Sequence, residues 1–146
     1  YSSKHATPYA IAADNNIKAM VTRSKLKMEY DDGKKIITLI TPANNKVVIS
    51  DQDKSILLQD QNNNKVELSS SGILLDSPKD ITIKALGKVV IQATQNVEAT
   101  AQMDVKVTGL NITNTANVGF TAKGTATAEL SAAGQTTVKG AMVMIN

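Results

Sequence analysis

Apolar and polar side chains alternate over most of the chain, which is the pattern of β-strands with one apolar face. The segment "KLKMEY" from Lys25 places Leu26, Met28 and Tyr30 on one side. Asp32 and Gly33 follow it and predict a tight hairpin turn. Further on, apolar pairs two residues apart recur between polar turns: Val47 and Ile49, Ile56 and Leu58, Val66 and Leu68, Ile73 and Leu75.

The spacing then settles to a period of eight residues. Two columns of apolar residues are predicted to form the core of an assembly: Ile73, Ile81, Val89, Val97 and Val105 in the first, and Leu75, Ile83, Ile91, Ala99 and Val107 in the second. A third column holds small residues: Ser77, Ala85, Ala93, Ala101 and Gly109. A small residue at this place fits a crowded corner where the chain turns.

Repetition at a fixed period is the signature of a stacked architecture. Eight residues are too few to wrap once around a solenoid, whose coils take about 20–29 residues in leucine-rich repeats. One repeat can therefore supply only one wall. Either three successive repeats of one chain make a coil, or three chains each contribute a wall to every layer, and periodicity alone leaves both open.

After Thr108 the eight-residue pattern gives way to plain alternation, with Leu110, Val118 and Phe120 among the residues on one face. The inner side chains become smaller, which predicts a narrower body. The chain closes with the apolar segment "GAMVMIN", an end that a monomer would not leave exposed without reason. We expect a docking face for a partner formed by Ala141, Met142, Val143, Met144, Ile145 and Asn146.

Composition excludes several classes of protein. Aromatic residues make up only 3% of the 146 residues and there is no Trp, so large aromatics do not build the core. The net charge of +3 is spread along the chain rather than gathered in a basic patch, which argues against nucleic-acid binding. The absence of cysteine excludes disulfides, thiol catalysis and Cys-ligated zinc. No apolar run approaches the length of a membrane span, and no secretory signal opens the chain.

No chemical motif predicts catalysis, a cofactor or a metal. "DQDKSI" from Asp51 begins like a calcium loop, but Ile56 stands where that loop needs Gly and Asn62 where it needs Glu. His5 is the single histidine and lies in the least patterned segment, away from any partner that would make it a base. No two carboxylates are paired on an apolar floor, as glycosidase chemistry requires. We therefore expect no enzymatic activity.

One long run resembles a known family. "TRSKLKMEYDDGKKIITLITPANNKVVISDQDKSILLQDQNNNKVELSSSGILLDSPKDITIKA" and the terminal "GAMVMIN" are similar to the C-terminal spike region of valine-glycine repeat protein G (VgrG) of type VI secretion systems, and to the spikes of contractile phages. The resemblance implies an all-β, elongated, intertwined parallel homotrimer that forms a triangular β-prism, or β-helix, from repeats of eight residues. It assigns residues 22–146 to the spike and residues 1–21 to a linker from a missing hub and oligonucleotide/oligosaccharide-binding part.

The expected function is mechanical: a spike that punctures a target envelope when a sheath contracts. The resemblance implies several partners, namely the inner tube and baseplate through the missing N-terminal parts, a proline-alanine-alanine-arginine repeat (PAAR) cap with effectors, and transiently the target membrane. Assembly is expected in the cytoplasm, before ejection outside or into a target cell. Two alternatives stay open: the stem of a phage tail spike or fibre, and a monomeric β-solenoid adhesin or ice-binding module.

Overall fold

The computed structural model describes residues 9–10 and 12–145, and their regular secondary structure is entirely β. His5 and Asn146 lie outside the described residues. No helix occurs among the residues described, so none is long and apolar enough to cross a membrane. The all-β prediction is confirmed by seven strands: β1 (Ile17–Val21), β2 (Lys27–Asp31), β3 (Ile36–Ile40), β4 (Lys46–Ser50), β5 (Ser55–Gln59), β6 (Lys65–Ser69) and β7 (Gly72–Asp76).

The seven strands form one sheet in which each strand pairs antiparallel with the next in sequence. The hairpin predicted at Asp32 and Gly33 is present, since these residues lie in the turn between β2 and β3. The sheet is antiparallel within one chain. The predicted parallel arrangement and the triangular prism describe chains relative to one another, and they stay predictions.

The meander repeats every 19 residues, a period that the alternation of apolar residues does not show. β1, β3 and β5 begin at Ile17, Ile36 and Ser55, and β2, β4 and β6 each begin with a lysine. Five-residue turns at 22–26, 41–45 and 60–64 alternate with four-residue turns at 32–35 and 51–54. Each repeat is thus one long hairpin plus the turn that leads to the next.

The five-residue turns share one hydrogen-bond scheme. Their first residues, Thr22, Thr41 and Asp60, accept a side-chain hydrogen bond from the backbone N–H four residues on, at 3.1, 3.2 and 2.9 Å. Side chains of Thr and Asp are suited to this because they replace a backbone acceptor in a turn. The fourth residue of each turn has a positive φ, at 65° in Lys25, 68° in Asn44 and 67° in Asn63.

From residue 77 to residue 145 the described chain contains no strand, but its backbone bends at regular intervals. The bends lie at residues 78–79, 86–87, 94–95, 102–103, 110, 117–118, 125–126, 133–134 and 141–142. They continue to the end of the described chain, so the regular backbone outlasts the sequence period that gives way after Thr108.

The chain divides into two units, the described residues up to Val90 and those from Ile91 onward. The first unit holds the sheet and the second holds only bends and extended segments. The sheet begins at Ile17, so β1 lies within residues 1–21, the segment predicted as a linker, and the predicted division of the chain stays a prediction. No apolar side chain is buried among the described residues, which means that one chain alone has no hydrophobic core there.

Candidate functional site

One face of the sheet, which we call the apolar face, is formed by the second and fourth residue of every strand. The pairing places Met28 opposite Leu39 and Ile37 opposite Ile49, and the same register continues to β7. Its apolar members are Met20, Met28, Tyr30, Ile37, Leu39, Val47, Ile49, Ile56, Leu58, Val66, Leu68, Ile73 and Leu75. The four apolar pairs predicted from the sequence to share a face, from Val47 and Ile49 to Ile73 and Leu75, do so.

The apolar face is open to solvent in the single chain. Leu58 is 53% exposed and Ile73 78% exposed, and Ile49 and Ile56 are also exposed. Monomeric proteins rarely expose contiguous apolar patches beyond a few hundred Å². A face of thirteen apolar side chains in one sheet is therefore typical of an association surface.

The only charged member of the apolar face, Lys18, directs its ammonium group away to the neighbouring turns. Its Nζ donates to the backbone oxygen of Asn15 at 3.0 Å and forms an ion pair with Asp32. The charge therefore lies at the margin of the face, next to β1.

The opposite face of the sheet is mixed. Lys27 pairs with Glu29 at 3.0 Å, and Lys65 with Glu67 at 3.6 Å. These partners are two residues apart in one strand and so lie on the same side. The two faces therefore differ in charge, since these ion pairs lie on the mixed face and the apolar face carries one charged residue.

A groove of about 470 Å³ runs along the apolar face at the end that carries the five-residue turns. Met20, Met28, Leu39 and Leu58 line it together with the turn residues Thr22, Leu26, Thr41 and Asn45. This groove is shallow, apolar and without a titratable cluster, so its chemistry suits the side chains of another protein segment better than a reaction.

The predicted core columns occupy equivalent places relative to the bends. Ile81, Val89, Val97 and Val105 each lie three residues after the first residue of a bend, and all are exposed in the single chain. Ile83, Ile91, Ala99 and Val107 follow two residues later. Ile73 and Leu75 instead lie in β7, on the apolar face. The structure of one chain brings neither column into a closed core.

At three glycines an added Cβ would approach a backbone atom. A Cβ added at Gly109, a member of the predicted small column, would lie 3.4 Å from the backbone oxygen of Asn111, and one at Gly140 would lie 3.1 Å from that of Met142. At Gly124 it would collide with the backbone oxygen of Thr127. Gly87, at a bend, and Gly119, just after one, have nothing within 4 Å of such an atom. The crowded corner at the small column stays a prediction.

The turn at residues 60–64 perturbs the pKa of a carboxyl group. Hydrogen bonds from the side-chain amide of Asn64, followed by those from Asn62 and from both backbone N–H groups, lower the pKa of Asp60. The four donor distances lie between 2.8 and 3.1 Å. Among the residues the structure describes, no three His, Cys, Asp or Glu side chains form a group that could hold a metal ion.

The predicted cap-docking residues are exposed as far as they are described. Ala141 and Met142 form a bend, and Met142, Val143, Met144 and Ile145 are all exposed apolar side chains. Whether they bind a cap is a prediction that a single chain does not test.

Sequence reasoning placed the core from Ile73 onward and left most of the apolar face out of it. Two kinds of residue recur every 19 residues along the strands that form this face. They are the lysines that open alternate strands and the residues that open the five-residue turns: Lys27, Lys46 and Lys65, and Thr22, Thr41 and Asp60. Both recur with the hairpin rather than with the strand, so a search for alternation passes over them.

Residues 36–92 match the family model of the phage baseplate V C-terminal trimerisation domain. The matched segment runs from β3 through β7 into the first repeats between bends, and it includes most of the apolar face. This match supports a spike-like structural protein of the kind found in phages and type VI secretion systems, and it supports a homotrimer. No curated protein matches the chain.

Proposed function

We propose that this chain is a segment of a homotrimeric spike in a contractile injection machine and that its function is mechanical. The observation that carries the proposal is the apolar face, exposed in one chain and lying largely within the segment similar to a trimerisation domain. Under this proposal, two further copies of the chain cover the apolar face.

Burial energetics favour this assembly. Transfer of a Val, Leu, Ile, Phe or Met side chain from water to a core contributes roughly 1.5–3 kcal/mol. A trimer would bury the apolar faces and the apolar columns of all three chains at once, whereas a single chain leaves them exposed to water. A large favourable term therefore becomes available only on association, and it offsets the loss of conformational entropy in long extended segments.

The finer form of the proposal follows the resemblance to VgrG spikes. Three parallel chains would build a triangular prism that stands above the inner tube and baseplate, is assembled in the cytoplasm and is driven through a target membrane. A PAAR-type cap with effectors would bind at the tip. We propose no enzymatic activity, because no chemical motif in the sequence predicts catalysis.

A phage tail-fibre stem is the second candidate, since the matched family is a baseplate one and any trimeric stem would use the same buried columns. A monomeric adhesin or ice-binding module is less well supported, because it would leave the apolar face exposed.

The experiment is the mass of the purified chain by light scattering, with two matched variants of neighbouring residues. The wild type should be a trimer at micromolar concentration. Ile91→Asp should block assembly because it buries three carboxylates together, which is costly. Gln92→Asp should assemble normally, since its side chain points the other way along an extended segment. A folded wild-type monomer would contradict the proposal, and equal tolerance of both variants would contradict the assignment of faces.

A further inference from the structure

The second unit carries the same repeat as the region before it, with one residue removed. Bends begin at residues 78, 86, 94, 102 and 110 and then at 117, 125, 133 and 141. Every interval is eight residues except the one from 110 to 117, which is seven. The apparent loss of the eight-residue pattern after Thr108 coincides with this short repeat.

When positions are counted back from the following bend, the columns continue without a break. Ile112, Asn114 and Ala116 precede the bend at 117 as Val105, Val107 and Gly109 precede the bend at 110. The first column then continues as Ile112, Phe120, Ala128, Thr136 and Met144, and the second as Asn114, Ala122, Leu130 and Val138. The small column continues as Ala116, Gly124, Ala132 and Gly140.

Solvent exposure supports this alignment. Leu110 and Val118, which plain alternation groups with Ile112 and Phe120, lie at bends and are 99% and 103% exposed, like Leu86 at an earlier bend. Ile112 is 52% exposed, close to the 49% of Ile81 in the same column.

The glycines support the same alignment independently. Gly109, Gly124 and Gly140 share the small column, and at each of them an added Cβ would approach the backbone oxygen of a residue two or three positions on. Gly119 lies just after a bend and Gly134 lies at one, and both have open space around the place of an added Cβ.

The physical reason is the two-residue period of extended chain. Removal of one residue would turn every following side chain to the opposite face. In this chain the bends after residue 110 are also displaced by one residue. The apolar side chains change from odd-numbered to even-numbered positions, but each keeps the same distance from the following bend.

We infer that the columns from Ile112 to Met144 form a chain–chain interface with two further copies of this chain, continuous with the interface of the segment similar to a trimerisation domain. This inference rests on the proposed homotrimer and extends it to a region outside the family match. It predicts that Phe120, Leu130 and Val138 are buried between chains, whereas Leu110 and Val118 stay in water.

The test uses the full chain and compares Leu130→Asp with Val118→Asp by mass and by limited proteolysis. The wild-type trimer should resist cleavage after residue 93. Whether or not Leu130→Asp remains a trimer, it should be cleaved in residues 112–145 at least tenfold faster than the wild type, because three carboxylates would meet in the core of the trimer. Val118→Asp should match the wild type in both mass and cleavage rate.

A second variant tests the short repeat itself. Insertion of one alanine after Leu110 makes this interval eight residues, like every other interval, and keeps the following columns at the same place relative to the bends, so cleavage should match the wild type. An insertion variant cleaved as fast as Leu130→Asp would contradict the alignment of the columns with the bends. A wild-type monomer would overturn the homotrimer on which the inference rests. A wild-type trimer in which Leu130→Asp is as resistant as Val118→Asp would leave the homotrimer standing and overturn the continuous interface.

Discussion

At the residue scale, Gly124 occupies a position of the repeat that has no room for a Cβ atom. The backbone oxygen of Thr127 occupies the place where a Cβ at this position would lie, and a backbone oxygen cannot move without moving the chain around it. The small third column therefore reflects close approach of the chain to itself at each corner. Alanine is tolerated in other repeats, at Ala116 and Ala132, so the tightness of the corner varies along the chain.

We expect Gly124→Ala to destabilise the assembly by about 1–3 kcal/mol, the usual cost of forcing an extra methyl into a filled site. Thermal unfolding monitored by circular dichroism measures the effect. Gly119→Ala is the matched control, because nothing lies within 4 Å of an added Cβ at that bend. If both variants melt alike, the corner is not crowded in the assembled protein.

At the scale of the element, the hairpins owe their register to their turns. In antiparallel pairs, turn length decides which residues face each other, and a shift by one residue would exchange the two faces. The fixed turn lengths keep Val47 beside Leu58 and Leu58 beside Val66. Leu74 shows that the mixed face also carries apolar side chains, since it pairs there with Glu67, in line with Leu57 and Val48.

The turn at residues 60–64 should make stability depend on pH. The pKa of Asp60 is lowered by hydrogen bonds from Asn64 first and Asn62 next, so the folded state favours the charged carboxylate. Its contribution to stability is complete above the ordinary Asp pKa of about 3.9 and is lost as the pH falls through the lower folded value. Asp60→Asn should therefore be less stable than the wild type at neutral pH, and this difference should shrink in acid.

Melting temperatures measured from pH 7 downward test this expectation. Gln61→Ala is the control from the same turn, because the backbone N–H of Gln61 donates to Asn45 at 2.9 Å and this bond survives the substitution. A difference between wild type and Asp60→Asn that stays constant down to the most acid pH would show that the carboxylate charge plays no part in the turn.

At the scale of the whole molecule, the exposed end of the second unit is the proposed contact with a cap. Met142, Val143, Met144 and Ile145 are exposed, and methionine adapts readily to a contact surface. Met144 also continues the first column, so one side chain of the segment belongs to the inferred interface between chains.

Deletion of residues 141–146 should leave a trimer, because the apolar face and the earlier columns hold most of the buried area, but it should abolish capture of a cognate PAAR-type cap in a pull-down. The control variant is Val118→Asp, which changes an exposed bend far along the sequence from this segment. Unchanged capture by the truncated trimer would place the docking site elsewhere.

Much of this protein could be predicted from local pattern alone. Alternation identified the strands and their apolar pairs, and Asp32 with Gly33 identified a hairpin, because these features depend on neighbouring residues in one segment. The first five repeats were visible for the same reason.

Only the tertiary structure revealed the 19-residue hairpin repeat, the extent of the apolar face and the short repeat after residue 110. Alternation reports which side a residue faces relative to its neighbours, but it carries no record of where the backbone bends or which strand lies alongside. A residue lost between two bends reverses the parity of all that follows, so Ile112 and Phe120 read as a new pattern until the bends show that the chain has returned to the old one.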